Sequence, residues 1–175
     1  MWTRRKARIA ALQTLFQNEF GLTDSAENLI HSFWNVISHS EMEDFMPQEE
    51  IPEEHKELIN IEEIIVTHEL KDIENSHYSF LVEKVLSQKE ELDTMLATVS
   101  KAWNIKRFGK VEIILMRIAI IEALYCEDVP VISAIDEAIE ISKYYADIDS
   151  YTFVNGVLDK ILKNKAGEKE TIAHK

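Results

Sequence analysis

Only four glycines and three prolines interrupt the 175 residues of this chain. A β-sandwich or barrel needs a tight turn every few residues. Those turns draw on glycine for positive φ and on proline for a preset φ. A chain so poor in both is expected to bury its core with long helices. Apolar residues make up 46% of it, enough for a real core. The expected fold class is all-α, as one domain or as two small helical subdomains.

Apolar spacing and capping residues place the helices. Thr3 caps a first helix that runs to about Phe20 and stops at Gly21, with Ile9, Leu12, Phe16 and Phe20 on one stripe and Leu15 widening it. Asp24-Ser25 opens a second, with Glu27 three residues after Asp24 as in a capping box. Its apolar face is Leu29, Ile30, Phe33, Trp34 and Ile37. Pro47 and Pro52 among glutamates predict a loop over 40–57, and a short helix follows with Leu58, Ile61, Ile64 and Ile65 inward. A further helix starts near Asn75-Ser76, carries Phe80, Leu81, Val85 and Leu86, and continues or restarts near Gln88 through Leu92, Met95, Leu96 and Val99.

The stretch from about Val111 to Cys126 is apolar on nearly every side, which predicts the central and most buried helix. Asp128-Val129-Pro130 ends it. The next helix spans roughly Ser133 to Tyr145, with Ile135, Ala138, Ile139 and Ile141 inward. Asp149-Ser150 caps the last, whose inner face is Phe153, Val154, Val157, Leu158, Ile161 and Leu162. Asn155-Gly156 within it suggests a close helix approach that justifies a costly glycine. After Lys163 the composition turns polar and fraying is expected.

Charge is unevenly spread. The net value is −13, yet positions 41 to 74 hold thirteen acids against two lysines and account for −11 of it. Before Glu19 there is no acid at all, and Arg4, Arg5, Lys6 and Arg8 crowd the first two turns of the first helix. The helix dipole makes that end partly positive, so each cation there costs about 0.3–1 kcal/mol. A stability-driven sequence would place Asp or Glu in those turns. Cations kept against the dipole point to an external anion, phosphate first among them. The competing reading is a solubilising, frayed end.

Little in the chain calls for catalysis, and the expectation is a protein that is not an enzyme. The one cysteine, Cys126, rules out an internal disulfide, a zinc ribbon and a CxxC redox pair, and it suits a reducing compartment. No secretory leader is legible and no apolar run reaches the ~20 residues of a membrane span. The expected location is cytoplasmic, away from membranes. The glycines are isolated, so no phosphate-cradling loop is present. The six histidines form no HExxH pair. A single ExxH match, Glu74 to His77, lacks the second copy that a di-iron bundle requires. Asp136 and Glu140 share a helix face at i and i+4, the spacing of a solvated pair. No metal site and no cofactor are expected.

Several stretches taken together resemble the NusB family. They are Arg4-Arg5-Lys6-Ala7-Arg8 with Leu12-Gln13-Thr14-Leu15-Phe16, then Val111-Glu112 through Leu115-Met116-Arg117-Ile118-Ala119 to Glu122, then Asp128-Val129-Pro130. The longest is carboxy-terminal: Ala134-Ile135-Asp136-Glu137-Ala138-Ile139-Glu140, Asp149-Ser150, and Phe153-Val154-Asn155-Gly156-Val157-Leu158-Asp159. The resemblance covers 1–20 and about 100–162. It implies a NusB-like bundle of about seven helices in two small subdomains. These are placed at 1–88, with the basic helix and the acidic insertion, and at 89–165, before a frayed tail at 166–175.

The resemblance also implies a function. The family's members bind boxA-type RNA together with NusE, a small-subunit ribosomal protein, and support ribosomal RNA synthesis within the RNA polymerase antitermination complex. By position, Arg4, Arg5, Lys6 and Arg8 match the RNA-binding motif, and Asp149 and Phe153 match its RNA surface. Phe16 and Glu112 match the NusE contact. Phe16 and Phe153 also suit a core face, and Glu112 an ordinary first-turn glutamate, so both readings stand. Phe16 replaces a tyrosine usual in the family, Asp136 replaces an asparagine, and the acidic 40–74 segment has no counterpart. An interaction or homodimerisation module without RNA binding is the alternative.

Overall fold

The computed structural model describes residues 4–20, 25–39, 77–100, 109–147 and 150–173. Among them are seven helices and no strand: α1 Arg4–Asn18, α2 Ala26–His39, α3 His77–Ser87, α4 Lys89–Ser100, α5 Lys110–Tyr125, α6 Val131–Tyr145 and α7 Ser150–Ala173. The fold is all-α. The expected short helix at 58–65, the acidic loop and the connection at 103–108 lie outside the described residues, as does Asp149. The chain falls into two compact units, Met1–Glu83 and Lys84–Lys175.

In the first unit α1 packs on α2. The buried side of α1 is richer in alanine than hydropathy suggests: Ala7, Ala10 and Ala11 join Ile9, Leu12 and Leu15. Small side chains let helices approach closely, which pulls the core face away from the expected stripe. Phe16 is left half-buried and Phe20 is 65% exposed. In α2, Leu29, Ile30 and Phe33 are buried as their spacing predicts. Its cap is one residue later than expected, because Ser25 Oγ accepts the Asn28 N–H at 3.2 Å.

Tyr78 of α3 ties this unit together. It is fully buried, its ring lies 5.8 Å from Phe33, and its hydroxyl is 2.8 Å from Thr14 Oγ1. Thr14 already donates its only hydroxyl proton to the Ala10 carbonyl at 2.9 Å, so Tyr78 is the donor. Burial pushes the Tyr78 phenol well above the usual tyrosine range, which keeps that proton in place.

In the second unit α5 is the buried centre, with an unbroken buried run from Ile114 to Ala123. It packs on α6 and α7, α6 packs on α7, and α4 closes against both α5 and α7. Arg117 is buried within this run. Its Nε donates to Asp93 Oδ1 at 2.8 Å, and Nη2 lies 2.7 Å from the same oxygen. That pairing makes burial of a guanidinium tolerable. α6 begins two residues before the expected Ser133, since Pro130 supplies a preset φ and its carbonyl accepts the Ser133 and Ala134 N–H groups.

The six expected inner residues of α7 are all buried. Gly156 is not explained by packing: a Cβ there would meet nothing within 4 Å. α7 also continues to Ala173 instead of ending near Lys163. Its Lys-, Ala- and Glu-rich last turns have high helix propensity and hold no proline.

Candidate nucleic-acid interface

The amino end of α1 carries the cations. Its first turn has no acid, so nothing on the helix itself offsets them there. Arg4 and Arg5 are exposed and Lys6 is half-exposed. Each also takes part in interactions within the chain. Arg8 differs, with only 5% of its surface exposed. A guanidinium so enclosed is a structural group, and the cations presented to solvent are the first three.

The other residues singled out by resemblance fall in different surroundings. Phe153 is 5% exposed, so its ring has no face open to a base. Glu112 is also buried, and its Oε1 accepts a hydrogen bond from Ser150 Oγ at 2.5 Å. That bond joins the start of α5 to the start of α7. A Cβ on Gly109, the residue that caps α5, would sit 2.5 Å from Glu112 Oε2, so the carboxylate occupies the space a side chain would need. Glu112 is thus held within the second unit as a hydrogen-bond acceptor, with little of its surface open to solvent. Phe16 is the exception: half-buried, it meets Phe20 edge to face with ring centroids 5.0 Å apart and a 65° interplanar angle.

Phe20 was placed on the core stripe by spacing, but it lies beyond the last helical residue, Asn18. Its position just before Gly21 was the available signal. The carboxylate pair Asp136 and Glu140 is solvated, and Glu140 pairs with Lys143. Glu74 lies outside the described residues, so the ExxH match is not placed. Among the described residues, no group of three His, Cys, Asp or Glu side chains is arranged to hold a metal ion. None of their helices is long and apolar enough to cross a membrane.

Fold and surface together define an all-α bundle whose first helix presents exposed cations at its amino end. The NusB family model matches residues 44–163, and the chain belongs to the NusB family. It is 34% identical over 169 residues to the transcription antitermination protein NusB of Desulfosudis oleivorans, covering 97% of this chain and 91% of that one. It is 33% identical over 159 residues to the protein of the same name from Clostridium botulinum strain Kyoto, covering 91% and 99%. Among solved structures, T. maritima NusB superposes with a TM-score of 0.64 at 25% identity, over 93% of this chain and 92% of that one.

Proposed function

We propose that this chain is a non-enzymatic, cytoplasmic RNA-binding adaptor of transcription antitermination. It holds boxA-type RNA together with the ribosomal protein NusE, within the RNA polymerase antitermination complex, and so supports ribosomal RNA transcription. The observation that carries this reading is the exposure of Arg4 and Arg5 on an acid-free first turn. The dipole disfavours cations at a helix amino end, so their placement there suits an added anion. A phosphate there meets both the side-chain charges and the positive end of the helix dipole.

The protein partner has a separate surface. Phe16 and Phe20 expose an aromatic pair on a chain of net charge −13, which suits a basic protein carrying an apolar anchor. With so few exposed cations at the α1 tip, RNA binding by the lone chain is weak. A basic partner strengthens it by adding phosphate contacts.

The test is a salt titration of boxA-type RNA binding, with and without NusE. Each phosphate contact contributes about 0.7 to the log–log salt slope for a single strand. Replacing Arg4 and Arg5 with Ala is expected to weaken binding at low salt and to flatten that slope. An unchanged slope would remove the tip from the RNA interface.

A further inference from the structure

Both surfaces of the proposed function hang on α1. The cations stand at its amino end, and Phe16 and Phe20 stand at or just past the other. Arg4 and Thr14 are about 15 Å apart along the axis at the helical rise. The face that buries α1 is weakly keyed. Three of its eight buried residues are alanines, Ala7, Ala10 and Ala11. Alanine raises only shallow ridges, and a helix seated on shallow ridges turns or slides at little cost in packing.

One contact on this face is directional. Thr14 and Tyr78 are fully buried, with their hydroxyl oxygens 2.8 Å apart. Thr14 Oγ1 is pinned to its own helix by the bond to the Ala10 carbonyl at 2.9 Å, so it accepts at a fixed point of the α1 surface. Tyr78 is fixed on the other side, by its place in α3 and by its ring contact with Phe33 of α2. A displacement of about 0.8 Å along the bond takes it out of hydrogen-bonding range. Setting register among packings of similar energy is the best attested use of buried polar groups.

We propose that Thr14 and Tyr78 are positioning residues: their hydrogen bond fixes the rotation of α1 in the first unit, and so aims Arg4 and Arg5 at phosphate and Phe16 at the protein partner. This rests on the RNA-binding reading above and adds to it the pair that sets the geometry of that surface from within. Neither residue touches a ligand. Both lie inside the unit, so their effect on binding runs only through the seating of α1.

The test separates the bond from the volume. Thr14→Val keeps the shape and the β-branch but loses the hydroxyl, whereas Thr14→Ser keeps the hydroxyl and loses a methyl. Combining Thr14→Val with Tyr78→Phe removes both partners, leaves neither hydroxyl orphaned, and should hold stability near that of the native chain. Affinity for a fluorescently labelled boxA-type RNA and for NusE is measured on each full chain. The denaturation midpoint and the ¹³C-methyl signals of Ala7, Ala10 and Ala11 are measured beside it. The double variant is expected to lose about fivefold in affinity for each partner, within the coupling range of groups in one hydrogen-bond network. Its alanine methyl signals should shift or double. Thr14→Ser should bind both partners within about twofold of the native chain, although the lost buried methyl lowers its midpoint. A role in stability alone gives the reverse order, with affinity following the midpoint, and that order overturns the proposal. Unmoved methyl signals in the double variant overturn it too. A loss confined to NusE overturns it in favour of a local effect on Phe16. A native chain that binds no RNA, even with NusE, removes the RNA-binding reading, while the methyl signals and the NusE affinity still uphold or overturn the positioning of α1.

Discussion

The amino ends of α1 and α5 are built on opposite principles. α5 has an acid in its first turn, Glu112, where the helix dipole favours one. The carboxylate is buried, accepts the Ser150 hydroxyl, and fills the space that Gly109 leaves beside it. α1 has no acid in its first turn and three solvent-facing cations, where the dipole disfavours them. One end is arranged for the stability of its own unit. The other sets its cations against the dipole, makes contacts within the chain and still leaves Arg4 and Arg5 exposed to solvent. The contrast sorts the two ends better than charge alone: Glu112 was singled out by resemblance only, whereas the α1 cations were also singled out by their placement against the dipole.

The largest effect should come from the α5 end. Glu112→Ala removes the acceptor of a buried hydroxyl and the favourable charge–dipole contact together, for an expected loss of about 2–3 kcal/mol. Glu112→Gln keeps an acceptor for Ser150 and should lose less than half as much. Chemical denaturation of the three proteins measures both. If Glu112→Ala left stability unchanged but abolished partner binding, Glu112 would be a contact after all and the comparison would fail.

Gly156 offers a second place where stability is forgone. A mid-helix glycine costs up to ~1 kcal/mol relative to alanine, and nothing in the surrounding structure uses the space. Gly156→Ala is therefore expected to stabilise the protein by about 0.5–1 kcal/mol, read as a raised denaturation midpoint. A destabilised variant would mean that α7 needs glycine for its own packing. Stabilisation with weaker RNA binding would put the α7 surface in the same class as the α1 tip.

Much of the architecture was legible beforehand, for identifiable reasons. Scarce glycine and proline, with caps and stops at Ser25, Gln88 and Pro130, mark helix ends to within a few residues. A continuous apolar run has one physical outcome, so α5 was recognisable as the centre. The six-residue inner stripe of α7 is large and aliphatic and has no competitor on the helix. α1 was harder. Alanines 7, 10 and 11 carry little hydropathy but permit close packing, and a scale that weights bulk overlooks them. Burial of Arg8 and Glu112 depends on partners far away in sequence or on neighbouring helices, which no local pattern reveals. Tyr144 and Tyr151 are amphipathic, so spacing alone does not say whether their rings face inward.

The smallest effect per substituted residue carries the sharpest discrimination. Arg4→Glu with Arg5→Glu replaces disfavoured charges by favoured ones at the α1 amino end, and each exchange should stabilise the helix by about 0.3–1 kcal/mol at low salt. The same change places two anions where a phosphate is proposed to sit, so RNA binding should fall below that of the alanine variant. Stability and affinity then move in opposite directions from one double substitution. An ordinary solubilising end has no reason to show that opposition, because it would gain stability without losing a ligand. If the reversed variant is less stable than the native chain, the contacts that Arg4 and Arg5 make within the protein outweigh the dipole, and the α1 tip belongs with Glu112 among the groups held by contacts inside the chain.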